Sequence, residues 1–534
     1  MQKFISVCAL ILGASPLIGQ SNATSQLMTY GDVIGDSFRV EVAGITPNVT
    51  TFVVPSFNAT GSNYLIGLSG DPNDHLAVDL GLAQNGTYFT TQSSAVGTAS
   101  LTLGVPNNPA LVDARVHIQA FTRPAGSGAD MFDDFSNLRT VTVNLHGRWQ
   151  EADAISMPSA LMASCPLSFG PEGDPLVIFS CGGGPVLLTD TSNPYPSIDR
   201  CWTYDIRSEQ HTMLGGVMND SRAFHTATRL HDGRVLVTGG IQGPRGSGNS
   251  HYTEVLNTAE IYAPATDTWT AVASMQKHRA GGTASLLPDG RVLVAGGTSG
   301  NGQNQLSDVT DILGTATRLT EIFDPVAGTW SSGPDLQEPK AGAVATALQD
   351  GRIMIAGGIT HTYIFGIPIP AFSNTACFYN PSAGAFDPKK TMVTKRALFA
   401  MTLLHDGRVL LAGGGGGDIL NIGPIRQCEV FDPNSNSFNS VDPLSTSSCF
   451  AGCVTLKDGR ALVVGGATGN IDDPIPIADC WIFEPSNNTM TSVAPLNVEH
   501  AGGAVFLMED GTVYVGGGES GAGISVDTSE SWSP

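Results

Sequence analysis

Charge is scarce in this chain and unevenly divided. Only 14% of its 534 residues are charged, 26 basic against 48 acidic, for a net charge of −22. So few basic residues against so many acidic ones argue against a nucleic-acid partner, since gripping a polyanion needs a basic face that releases counterions. Aromatics reach just 7%. Beyond the first twenty positions no apolar run approaches the roughly 20 residues of a membrane-spanning helix. Also missing are H-E-x-x-H, a P-loop and a G-x-S-x-G elbow, and with them the usual signatures of zinc peptidases, nucleoside triphosphatases and α/β-hydrolases. What abounds is glycine, 64 residues, with 32 prolines, a composition that suits short strands and tight turns.

Met1, Gln2 and Lys3 precede an apolar run from Phe4 to Gly19, followed by small and polar residues around Asn22 and Ala23. That is the pattern of a signal peptide over 1–23, so the expectation is a secreted or cell-envelope protein. Of nine cysteines, Cys8 lies in this run, leaving eight in a compartment that permits disulfides.

One phrase recurs: an apolar run, Asp-Gly, usually Arg, an apolar run, then Gly-Gly. It reads HDGRVLVTGG from His231, PDGRVLVAGG from Pro288, QDGRIMIAGG from Gln349, HDGRVLLAGG from His405, KDGRALVVGG from Lys457 and EDGTVYVGGG from Glu509, with a degenerate copy, GDPLVIFSCGG, from Gly173. The Asp-Gly aspartates stand at 232, 289, 350, 406, 458 and 510, a period of 52 to 61 residues that fits four strands and their loops. Asp-Gly predicts a two-residue hairpin between the first two strands. After each Gly-Gly comes a third strand, such as AEIYAP at 259 or CEVFDP at 428, and a fourth opens on Trp269, Trp330, Phe386 or Phe438. The last unit lacks room for its fourth strand, whereas GRWQEADAISMP at 147–158 is a strand without a unit. The two ends are therefore expected to share one blade, which removes an exposed sheet edge.

These repeats resemble the kelch repeat over 147–534. The resemblance implies a seven-bladed β-propeller around a central channel, similar to the central domain of galactose oxidase. Ahead of it, 28–146 shows alternating runs such as SFRVEVAGI, NYLIGLSG and ARVHIQAFT, the pattern of a small β-sandwich of immunoglobulin-like type. Asp130, Asp133 and Asp134 form an acidic loop without EF-hand spacing, read as a solvated turn.

The galactose oxidase resemblance raises a copper radical oxidase. Such a site takes a tyrosine-histidine dipeptide, a second histidine and a tyrosine linked to cysteine, and no Tyr-His dipeptide exists here. Phe224-His225 stands in the corresponding place, and Phe224 has no phenol oxygen to bind metal or lose an electron. His225, His278 and His500 belong to different repeats and are read as structural. No catalytic residue, metal or cofactor is assigned. The reading is a non-catalytic binding module for a protein or glycan, with a carbohydrate oxidase as the alternative.

Ten residues before each Asp-Gly aspartate stand Arg222, Arg279, Lys340, Arg396, Ser448 and His500, all at strand starts that a propeller gathers at one channel mouth. Either the four cations and the histidine among them are neutralised by carboxylates such as Asp220, Glu338 or Glu499 or bond interblade carbonyls, or they bind an acidic glycan or peptide. Cys181 ends a second strand opposite the start of the third at Cys201, which makes a disulfide between them the expectation; the sequence assigns no pairing to the remaining cysteines.

Overall fold

The structure is a computed structural model. It describes residues 26–30, 37–43, 45, 47–56, 89–95, 98–104, 115–123, 139–142 and 147–534, the last without 156, 171–172, 185–195, 246–251, 302, 307–314, 365–366, 419–420, 471–472 and 522–524. The expected signal peptide, the expected acidic turn at Asp130 and the strand expected in NYLIGLSG lie outside the described residues. Among those described there is no helix.

Two antiparallel sheets form the N-terminal part. Gln26–Tyr30, Ser37–Ala43 and Thr98–Gly104 make one, and Thr50–Ser56, Phe89–Gln92, Arg115–Arg123 and Arg139–Thr142 the other. Their alternating apolar faces meet over Val40, Val42, Val53, Ala99, Ile118 and Ala120, the burial that period-two strands require.

Among the described residues from 147 onward there are seven four-stranded antiparallel sheets. In the second, Thr226–Arg229, Val235–Thr238, Ala259–Ala263 and Thr268–Ala271 follow in spatial order. Every residue of Val235–Thr238 is buried, as in the matching strands Val292–Ala295, Ile353–Ala356, Val409–Ala412, Ala461–Val464 and Val513–Gly516. Continuous apolar sequence is what a strand covered on both faces by neighbouring sheets needs. The cores straddle the sheets accordingly: Phe378 and Met354 pack with Val409 and Phe431 of the next.

The Asp-Gly turn differs from the expected two-residue hairpin. Leu230 and Arg234 still pair, the Leu230 amide donating to the Arg234 carbonyl at 2.7 Å, and His231, Asp232 and Gly233 make a three-residue loop. Gly233 alone in it has positive φ, +87°, which is the type I turn with a left-handed third residue. Asp232 folds back to accept from the Arg234 amide and its Nε, at 3.1 and 2.8 Å, which explains the arginine after Asp-Gly.

The ends meet in one sheet. Trp149–Glu151 pairs with Ser529–Trp532, Trp149 opposite Trp532, as the orphan strand required. Sequence gave no warning of the hairpins between second and third strands, Ile359–Ile364 with Ile367–Phe372, Gly415–Asp418 with Asn421–Pro424, and Ala467–Asn470 with Asp473–Pro476. These stand side by side on the Gly-Gly face.

Candidate functional site

Each sheet contributes the same three consecutive residues to the channel mouth on that face. The first donates a side-chain hydrogen bond to the carbonyl of the first glycine of its own Gly-Gly. Ser159 reaches Gly182 at 2.7 Å, Arg222 reaches Gly239 at 2.7 Å, Arg279 reaches Gly296 at 2.7 Å and Lys340 reaches Gly357 at 2.8 Å. Arg396 to Gly413, Ser448 to Gly465 and His500 Nδ1 to Gly517 continue the series at 2.7, 2.8 and 2.6 Å. Their own carbonyls accept from the second glycine of the preceding sheet, Gly183 to Arg222 and Gly240 to Arg279 among them, and Gly518 to Ser159 closes the circle at 2.8 Å. Left-handed φ makes this possible: Gly239 and Gly240 lie at +62° and +98°, and a Cβ on Gly239 would sit 2.3 Å from the Arg279 carbonyl oxygen.

The second residue is alanine, or Cys449 in the sixth sheet, bridged to the residue just past Gly-Gly. The third faces the channel with positive φ: Leu161, Phe224, Gly281, Gly342, Leu398, Phe450 and Gly502. Backbone amides link these seven around the axis, from Phe224 to Leu161, Gly281 to Phe224 and onward to Gly502 to Phe450. The Phe224 ring covers Gly281, where a Cβ would come within 2.3 Å of it, and Leu398 covers Gly342. Four non-glycine residues held left-handed store strain of about 1 kcal/mol or more each, a cost that clusters at functional sites.

The sequence-derived cations do converge, and each spends its charge inside its own sheet. Arg222 pairs with Glu260 at 2.7 Å, Arg279 with Glu321 at 2.7 Å and Arg396 with Glu429 at 2.8 Å, all six side chains at most 3% exposed. His500 Nε2 stands 3.5 Å from Glu530. Lys340 pairs with Glu338 at 3.0 Å and also bonds Ser373 and Thr375. Burial pulls Lys340, Arg279 and Arg396 below their ordinary values. At Glu338 burial works upward, and the Lys340 ammonium with the Ser373 and Thr375 hydroxyls overcomes it, bringing the carboxyl to about 2. Internal pairing is thus the arrangement seen here; of the carboxylates expected, Glu338 serves Lys340 and Asp220 is a second neighbour of Arg222 at 3.7 Å.

The glutamates were missed. Glu260, Glu321, Glu429 and Glu530 occupy the second position of the third strand, and each also accepts two consecutive backbone amides ahead of its cation, Gln276 and Lys277 in the case of Glu321. The signal was present: where a sheet has serine instead of a cation, Ser159 or Ser448, that position holds Trp202 or Trp481. In the fourth sheet it is Cys377, and Glu338 supplies the carboxylate.

Among the described residues, the donor set of a copper radical site does not assemble. His225 turns into the sheet, its Nε2 3.4 Å from the Cys181 sulfur, and burial followed by the Arg222 charge holds it well below the usual imidazole range. His278 bonds the Val255 carbonyl at 2.6 Å. Phe224 occupies the channel position with a ring that cannot ligate metal. Cys181 and Cys201 are direct cross-strand partners and both are free thiols in this structure.

The comparisons with known proteins agree with this architecture. Residues 222–276 match the Kelch motif family model. Galactose oxidase of Gibberella zeae is 23% identical over 359 residues, covering 63% of this chain and 47% of that protein. Kelch-like protein 36 of Rattus norvegicus is 26% identical over 273 residues, 51% of this chain and 40% of the relative. This chain therefore spans less than half the length of these curated relatives. A fungal alcohol oxidase solved in complex with copper superposes with a TM-score of 0.53 at 17% identity, over 73% of this chain and 76% of that one, a likeness of fold. The chain is an all-β protein that carries the kelch repeat and has a galactose oxidase-like fold.

Proposed function

We propose that this chain is an exported binding module that holds a glycan or protein partner at the Gly-Gly mouth of its propeller. The observation that carries the reading is the make-up of the floor: Leu161, Phe224, Leu398 and Phe450 contribute apolar side chains, Phe224 in the place where the oxidase pattern has a tyrosine. The paired hairpins around them supply backbone and loop surface for recognition. An acidic ligand would have to compete with Glu260, Glu321 and Glu429 for their arginines, so the exposed chemistry favours a partner with an apolar face, such as the ring face of a sugar or an aromatic side chain.

A glycan array probed with the purified chain tests this. Phe224→Ala and Phe450→Ala should each weaken a hit by tenfold or more, as truncating an aromatic anchor costs about 2 kcal/mol; unchanged binding in both would move the site elsewhere. The alternative, a carbohydrate oxidase, is favoured by the galactose oxidase likeness. Copper loading followed by a peroxide-release assay on sugars and alcohols separates the two, since turnover would overturn the binding-module reading.

A further inference from the structure

Cys181 and Cys201 face each other directly across Pro175–Cys181 and Cys201–Asp205. The next pair outward is hydrogen-bonded, the Gly182 amide donating to the Arg200 carbonyl at 3.0 Å, so the cysteines occupy a non-hydrogen-bonded site. There the α-carbons approach to about 4.5 Å, within the span a disulfide bridges. Both side chains are wholly buried in one apolar cluster with Cys165, Phe179 and Val237, shielding a bond between them from reductant.

Among the described residues, none of the other six cysteines faces a cysteine across its strands. Cys165 lies opposite Phe179, Cys377 opposite Ile355, Cys453 opposite Val463, Cys428 opposite Ala412 and Cys480 opposite Val464, while Cys449 bridges to Ala467.

We propose that Cys181 and Cys201 form the single disulfide of this propeller, tying Pro175–Cys181 to Cys201–Asp205. The two thiols give up two electrons and two protons to a disulfide oxidant, whose sulfur–sulfur bond is cleaved to two thiols as the Cys181–Cys201 bond forms. Burial places this step during folding, before the neighbouring sheet covers the pair. Oxidation also takes away the Cys181 S–H beside His225 Nε2, so the bond changes the hydrogen bonding of a histidine next to the mouth.

The test is refolding of the full reduced chain in a glutathione/glutathione-disulfide buffer, followed by alkylation and mass spectrometry of unreduced peptides. This does not depend on the export reading, which secretion through the chain's own leader would check separately. One linked peptide joining Cys181 to Cys201, with the other cysteines alkylated after unfolding, is expected. Free thiols at both, or a Cys428–Cys453 link in their place, would overturn the assignment. Dithiothreitol present during unfolding should lower the melting temperature of the oxidised wild type and leave C181S/C201S unmoved; equal shifts in the two would also count against the bond.

Discussion

A buried guanidinium pays its desolvation only while its carboxylate stays in place. Arg279→Ala would leave Glu321 charged, buried and short of one partner, which costs about 3–5 kcal/mol. Urea melts should show that loss, and a variant melting like wild type would mean the pair contributes nothing. The chain also contains its own replacement for the pair, serine with tryptophan, at Ser448 and Trp481. Arg279→Ser combined with Glu321→Trp should therefore recover part of what Arg279→Ser loses alone, which a double-mutant cycle measures. His211 sets a second residue-level expectation. Its Nε2 bonds the buried Tyr514 hydroxyl at 2.9 Å, and burial lowers it to about 4, with Asp153 opposing. A base whose folded pKa lies below its unfolded value of about 6.5 favours the neutral form on folding. Stability is then full above pH 6.5 and declines as pH falls toward 4, by on the order of 3 kcal/mol. His211→Gln should flatten that part of the pH profile relative to wild type, and parallel profiles would assign the acid loss to other groups.

Closure of the seventh sheet rests on three residues, Trp149–Glu151, with Trp149 and Trp532 buried and their rings 6.3 Å apart. Removing 147–158 should bare the edge of Ser529–Trp532 and produce oligomers in light scattering; a monomer with an unchanged melt would show that the clasp does not hold the ring. This strand, the Gly-Gly strands and the aromatic third strands were legible because each follows from a local rule: an orphan segment, a fully apolar run, a proline stop. The mouth was legible only in part. Stepping ten residues back from each aspartate found the cations, and the tally of charge left their partners open, since a glutamate inside AEIYAP or TEIFDP looks like the polar half of an alternating strand. Burial on both faces removes that alternation, and Glu260 and Glu321 are inside because an arginine meets them there. The hairpins at 359–372, 415–424 and 467–476 were hidden for another reason: glycine, proline and asparagine in their sequences carry loop signals, and each is a two-stranded sheet of its own that joins no repeat strand.

At the scale of the whole propeller, the second glycine of every Gly-Gly bonds the next sheet and the last of these bonds closes the circle, so there is no terminal repeat to fray and the ring should unfold in one transition instead of sheet by sheet. Calorimetry of the intact chain checks this for the ring, where stepwise loss would indicate independent sheets. The circle nonetheless has a preferred point of failure under mechanical load. Gly147 donates to the Ser533 carbonyl at 2.9 Å, so the strand entering the ring and the strand ending it lie side by side at one place on the rim. Tension applied between those two points peels the three-residue clasp one bond at a time, whereas tension between handles on different sheets must slide whole strands past each other together. In an optical trap, handles at 147 and 533 should open the ring at a markedly lower force than handles at Gly328 and Gly384, two exposed turns of the third and fourth sheets. The propeller would then behave as a buckle, firm against heat and quick to release when pulled by its ends.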